Sequence, residues 1–181
     1  DPYIFDASIQ ANTAITFDKY YGSLYFAYNT FFGNVILIDS IGRSGLAEIS
    51  SNQFNNDLSI FGASQQPGAH TILSGTGDDY ISGSLSIAYT SIANFHAGTG
   101  GTLHIGGDLN LNTDVNPILI NLNSVNFNGG NNSTIRQFGS VPVAFHNLYT
   151  DKFSKAQLII PEQNIFLKNA ACLSGGLIKT S

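Results

Sequence analysis

Tryptophan and methionine are missing from this chain, and its 181 residues hold one cysteine and five prolines. With Cys172 alone, no intrachain disulfide, zinc-finger spacing or thiol redox pair can be built. Within the apolar run NAACLSGGL, Cys172 reads as a small buried hydrophobe. Charge is scarce as well, at 10% of residues where about 25% is usual in soluble domains. Five Lys and two Arg stand against ten Asp and two Glu, for a net charge of −5. Neutralising phosphates needs clustered cations, so nucleic acid is excluded as a partner. No basic-then-apolar segment opens the chain as a signal peptide would, and the lack of Met leads us to expect a processed piece of a longer protein.

Helical signals are also lacking: no run carries apolar residues at i, i+3, i+4 and i+7 behind a cap. One uncharged stretch, YYGSLYFAYNTFFGNVILI from Tyr20 to Ile38, has nearly the length of a membrane helix. It is interrupted by Gly22, Asn29, Gly33 and Asn34 and is dense in aromatic and β-branched residues, which favour strands. We expect a strand pair there, with a bend at NTFFGN.

What remains is a surface chemistry of amides and hydroxyls, with 19 Asn and 19 Gly, and short alternating runs typical of strands. Such runs span Ala14 to Phe17, Leu24 to Tyr28, Val35 to Ile38, Leu58 to Phe61 and His70 to Leu73. Further on come LHI, LNLN and Ile118 to Phe127, then Gln157 to Ile160, Asn164 to Leu167 and Leu177 to Lys179. In Ile118 to Phe127 apolar residues alternate with Asn and Ser, so one face turns inward and a polar ladder outward. GTGDDYISG at Gly75 to Gly83 recurs as GTGGTLHIG at Gly98 to Gly106, an offset of 23 residues that suits one coil of a parallel β-helix. A looser echo near 33 residues places Phe61, Phe95 and Phe127 in matching positions. The expected fold is all-β, a right-handed parallel β-solenoid whose coils stack Ile, Leu, Val and Phe inward; an antiparallel β-sandwich is the alternative. One domain spans 1–181, with 1–57 an aromatic-rich capping or interface segment and 58–138 a degenerate repeat core.

The segment IANFHAGTGGTLHIGGDLNLNTDVNPILINLNSVNFNGGNNSTI resembles the β-helical passenger regions of large bacterial surface proteins. These are the autotransporters and related adhesins, including rickettsial outer-membrane surface antigens. The likeness covers about Leu58 to Phe138 and is compositional: Asn-, Gly- and Thr-rich short strands, little charge and scarce cysteine. It implies a scaffold, adhesin or coat protein at a bacterial surface, or secreted, exported without disulfides. It brings no catalytic residues, and membrane contact comes only through a parent protein.

Candidate chemistry is sparse. Asp78 and Asp79 are the only adjacent carboxylates, and Gly75, Gly77, Asp79 and Ile81 match the calcium-binding repeats-in-toxin pattern with Ser74 in place of its first Gly. Calcium needs six to eight oxygens, and the partner repeat offers Gly101 and Thr102 where the acids stand. The first reading is therefore a glycine turn with exposed acids, and the second a calcium-binding module. His70, His96 and His104 sit at comparable positions in the glycine-rich coils and His146 stands apart; we expect them to line the wall singly. Polysaccharide-acting β-helix enzymes need converging carboxylates, or acids beside a cation, and the scattered acids with only Arg43 and Arg136 argue for a non-enzyme. The sequons in NNST at Asn131 to Thr134 fall on an expected loop. Tyr20, Tyr21, Tyr25, Tyr28, Phe31 and Phe32 form an aromatic set expected to be exposed, as an interface for self-association or for a host glycan or surface protein.

Overall fold

The computed structural model describes residues 3–5, 7–10, 14–19, 24–39, 47–62, 70–73, 77–88, 92–95, 101–112, 120–139, 143–153, 155–161 and 165–180. Among these there is no helix, and every paired strand runs parallel to its neighbour. The chain winds as a right-handed parallel β-solenoid, the hand that parallel crossovers adopt. All-parallel pairing overturns the β-sandwich alternative.

Each coil contributes a strand to each of three faces. Coil 1 holds β1 (Tyr3–Phe5), β2 (Ser8–Ile9) and β3 (Ile15–Lys19); coil 2 holds β4 (Leu24–Ala27), β5 (Thr30–Phe31) and β6 (Val35–Asp39). Coil 3 holds β7 (Ala47–Ser50), β8 (Gln53–Phe54) and β9 (Leu58–Gly62). Coil 4 holds β10 (His70–Leu73), β11 (Asp79–Ile81) and β12 (Leu85–Ala88). Coil 5 holds β13 (Ile92–Phe95), β14 (Leu103–Ile105) and β15 (Leu109–Asn112). In the last three coils one long strand serves two faces: β16 (Ile120–Gly129) with β17 (Ser133–Phe138), β18 (Val143–Lys152) with β19 (Gln157–Ile160), and β20 (Ile165–Gly175) with β21 (Leu177–Thr180). These strands turn the first corner by local irregularity, as where the register of β18 and β20 shifts between Phe145 and Asn147. The third face stacks eight strands without a break from β3 to β21, so the aromatic-rich segment supplies the first coils of the same stack.

Alternation along each strand decides what enters the core. On the second face Phe31, Phe54, Ile81, Ile105 and Phe127 lie in register and are buried. On the third face Val35, Leu58, Leu85, Leu109 and Ile135 form the equivalent column. Stacking like on like at the interstrand spacing of about 4.8 Å fills the interior without disulfides. The Phe31 and Phe54 rings stack with centroids 5.0 Å apart, and Phe26 meets Phe31 edge-on at 5.8 Å.

Several sequence expectations are corrected. The strand pair expected over Tyr20 to Ile38 is β4, β5 and β6, three sides of one coil that pair with neighbouring coils and not with each other. The coil offset from coil 4 to coil 5 is 24, not 23, because Ile81 aligns with Ile105. Phe61, Phe95 and Phe127 lie on the third, first and second faces, so the 33-residue echo is no repeat of the fold. His70 belongs to the first face and His104 to the second, so their positions in the coils are not comparable. Phe31 is wholly buried and leaves the exposed aromatic set, in which Tyr28 and Phe32 are exposed and Tyr25 is half-buried. Tyr20, Tyr21, Gly75, His96 and the side chain of Cys172 lie outside the described residues.

Candidate functional site

Among the described residues, the corner between the first and second faces gathers buried polar side chains from successive coils. Tyr28 and Ser51 turn this corner in coils 2 and 3 with φ of +58° each, the left-handed region that glycine or asparagine enters more cheaply. The residue after each is an asparagine, and these two asparagines are buried together with Asp79. Asn29 donates its main-chain N–H and its amide to Asn52 Oδ1 at 3.0 and 3.1 Å. Asn52 in turn donates both to Asp79 Oδ1, at 2.7 and 3.2 Å. Each asparagine amide also reaches a carbonyl of the coil below, Ile4 for Asn29 and Phe26 for Asn52. Buried polar groups are tolerable when bonded in this way, and this internal ladder holds coils 1 to 4 together. It ends at Asp79, above which the same register position holds Leu103 and then Val125.

Asp78 and Asp79 therefore diverge. Asp79 is 2% exposed and turned into the ladder, which corrects the expectation of a turn bearing two exposed acids. Asp78 faces outward, where its Oδ1 accepts the Thr102 N–H at 2.7 Å. Both carboxylates brace the main chain of an adjacent coil, and among the described residues no three His, Cys, Asp or Glu side chains gather as for a metal. Gly77 sits above Ser51, one coil on, where a β-carbon would lie 1.8 Å from the serine Oγ.

Outward on the second face, Tyr80 and His104 are register neighbours and their rings stack at 4.4 Å and 8°. The Tyr80 hydroxyl donates to Asp78 Oδ2 at 3.4 Å, and His104 Nε2 lies 3.5 Å from the same oxygen. The Asn126 amide lies 3.4 Å from His104 Nδ1; when it donates there, the ring proton sits on Nε2, facing Asp78. Partial burial, and then the Asp78 charge and hydrogen bond, raise the Tyr80 pKa above its ordinary value, so its hydroxyl stays a donor. Stack and hydrogen bond together fix the plane of this ring.

An open cleft of about 450 Å³ lies on the other side of Tyr80, across coils 2 to 4, between Tyr28, Thr30, Ser51, Gln53, Asp78 and Tyr80. Its walls are two tyrosines, 58% and 44% exposed, and its floor is amide and hydroxyl. His104 stacks on Tyr80 from the coil above and is not among the lining residues, whereas Gln53, the register neighbour of Tyr80 on the other side, is. Of the expected site residues, Tyr28 and Asp78 meet here, while Phe32 is exposed elsewhere and Tyr25 is no part of the lining. Tyr80, Ser51 and Gln53 were missed by sequence reasoning. The signal that locates them is the recurrence Asn29-Thr30-Phe31, Asn52-Gln53-Phe54 and Asp79-Tyr80-Ile81: buried polar, outward, buried apolar.

No protein-family model matches the chain, and neither a curated protein nor a solved structure is detectably similar to it.

Proposed function

We propose that this chain is an extracellular scaffold with an adhesive role, displayed at or secreted from a bacterial surface, and that it works by binding and not by catalysis. The observation that carries this reading is the way the coils are locked. Side-chain to main-chain bonds run from coil to coil at two corners and replace the disulfides that a secreted domain would otherwise use. The internal ladder is one lock. The second is a column at the corner between the second and third faces, where Asn34, Asp57, Ser84 and Asp108 each accept the N–H of the residue one coil above. Such a rod presents broad outward faces of neutral hydrogen-bonding groups, suited to a host glycan or surface protein. The acid–base reading is weaker here: His104 is not among the residues lining the cleft, and its Nε2 is turned to Asp78 Oδ2. Labelled protein applied to host cells and to a glycan array tests the proposal. Saturable binding to either supports it, and no binding to both overturns it.

A further inference from the structure

Resting on the adhesive reading, we infer that the cleft between Tyr28 and Tyr80 is a binding site for a neutral pyranose oligosaccharide, gripped between the two rings. Three independent observations converge on it. The first is the cost of placing Tyr28. A left-handed corner accepts glycine or asparagine with less strain, and bulky residues held there against preference concentrate at binding sites. Here the strained backbone projects an exposed ring into the cleft mouth.

The second is the preorganisation of Tyr80. His104 occupies one face of the ring and Asp78 holds its hydroxyl, so its plane is set before any ligand arrives. The ring is exposed all the same, and its register neighbour on the side away from His104, Gln53, lines the cleft. The two tyrosines stand two coils apart, about 10 Å along the axis at the usual strand spacing, a span suited to consecutive sugar rings.

The third is the charge and polarity between them. Ser51, Thr30 and Gln53 offer hydroxyl and amide groups that can both donate and accept, as sugar hydroxyls require. Among the described residues Asp78 is the one charged group lining the cleft, with no lysine or arginine beside it. With that carboxylate and a net charge of −5, acidic sugars and phosphorylated ligands are disfavoured, while a neutral ring can set its apolar C–H face on a tyrosine and its hydroxyls on Gln53 and Asp78.

The test is calorimetry of the whole chain against neutral gluco-, manno-, galacto- and N-acetylglucosamine oligosaccharides, with melting temperature followed for each variant. The expected result is saturable binding to at least one series, weakened about tenfold or more by Tyr80→Ala and by Tyr28→Gly. Tyr28→Gly is the decisive variant, because it relieves the strained corner: its melting temperature should hold or rise while binding is lost. Phe153→Ala, an exposed aromatic remote from the cleft, serves as control and keeps wild-type affinity. No saturable binding to any series, or binding that survives both tyrosine substitutions, overturns the site. Adhesion to cells that persists in both tyrosine variants would sink the cleft alone and leave the scaffold reading standing.

Discussion

One carboxylate oxygen of Asp79 receives both the main-chain N–H and the side-chain amide of Asn52 from the coil below, at 2.7 and 3.2 Å. Asn52 is thus donor to the coil above and acceptor for the coil beneath, where Asn29 bonds to its Oδ1 twice. Truncating it strips several buried groups of their partners at once. We predict that Asn52→Ala destabilises the fold by about 3 kcal/mol in urea denaturation. Gln53→Ala, one residue along and outward-facing, should change stability by no more than about 0.5 kcal/mol.

Close approach at the second corner makes a separate prediction. A β-carbon at Gly83 would lie 2.8 Å from the Asn56 carbonyl carbon and 2.9 Å from the Asp57 nitrogen, both main chain that cannot swing away. Gly83→Ala should therefore cost about 1–3 kcal/mol. At Gly130 nothing lies within 4 Å, and Gly130→Ala should fall within about 0.5 kcal/mol of the parent. Thermal melts of the two variants side by side check both.

Lys152 is buried at the end of β18, its ammonium donating to Asn128 O, Asn131 O and Ser133 Oγ at 2.9, 2.9 and 2.7 Å. Burial lowers its pKa from the ordinary 10.5, and the Asp108 charge opposes this only in part. Between the lowered folded value and 10.5 the unfolded chain binds more protons, so stability rises with pH across that window. The penalty for the buried charge is present in full below the folded pKa and is relieved as pH climbs through it. Denaturation of wild type and Lys152→Met from pH 7 upward should show this gain in the wild type and not in the variant; parallel curves would refute it.

Both members of the Asp78–Asp79 pair already serve the main chain of adjacent coils. We expect chelator-treated and calcium-loaded protein to melt at the same temperature, with no heat in a calcium titration. A rise with calcium that disappears in Asp78→Asn would instead establish a calcium site, by linkage of ion to folded state.

Self-association is expected between surfaces of unlike charge. Residues 1–39 carry four Asp and one Lys, whereas 152–181 carry four Lys and one Glu. Phe166, Leu167 and Leu177 of the last coil are about half exposed. Light scattering should show mass rising with concentration, more steeply at low salt. Phe166→Ser with Leu167→Glu should abolish the rise, and a strict monomer at every concentration would count against the idea.

Strands were the legible part of this sequence. Where outward Asn alternates with inward Leu or Ile, as in LNLN of β15, period two is unambiguous and both face and register follow. Corners were not legible, because they are set by residues without a compositional mark. The left-handed turns at Tyr28 and Ser51 carry no glycine, and the connections between faces vary in length. Successive register steps on the third face run 20, 23, 27, 24 and 26 residues, from Ile15 through Val35, Leu58, Leu85 and Leu109 to Ile135. A search for one fixed period fails against such steps. The ladder was hidden for the same reason: its rungs are two asparagines and an aspartate at unequal spacing, and only their shared burial joins them.

The two corner columns are laced in opposite senses. In the buried ladder each side-chain oxygen takes protons from the coil below, Asn52 from Asn29 and Asp79 from Asn52. At the second corner each coil gives them downward, from Ser84 to Asp57 and from Thr134 to Asp108. Damage to the stack is therefore directional. Losing an acceptor in the ladder strands a donor in the preceding coil, while losing one at the second corner strands a donor in the following coil. A coil is gripped from both sides only when both of its neighbours are in place, which makes a coil inside the stack resistant to local opening.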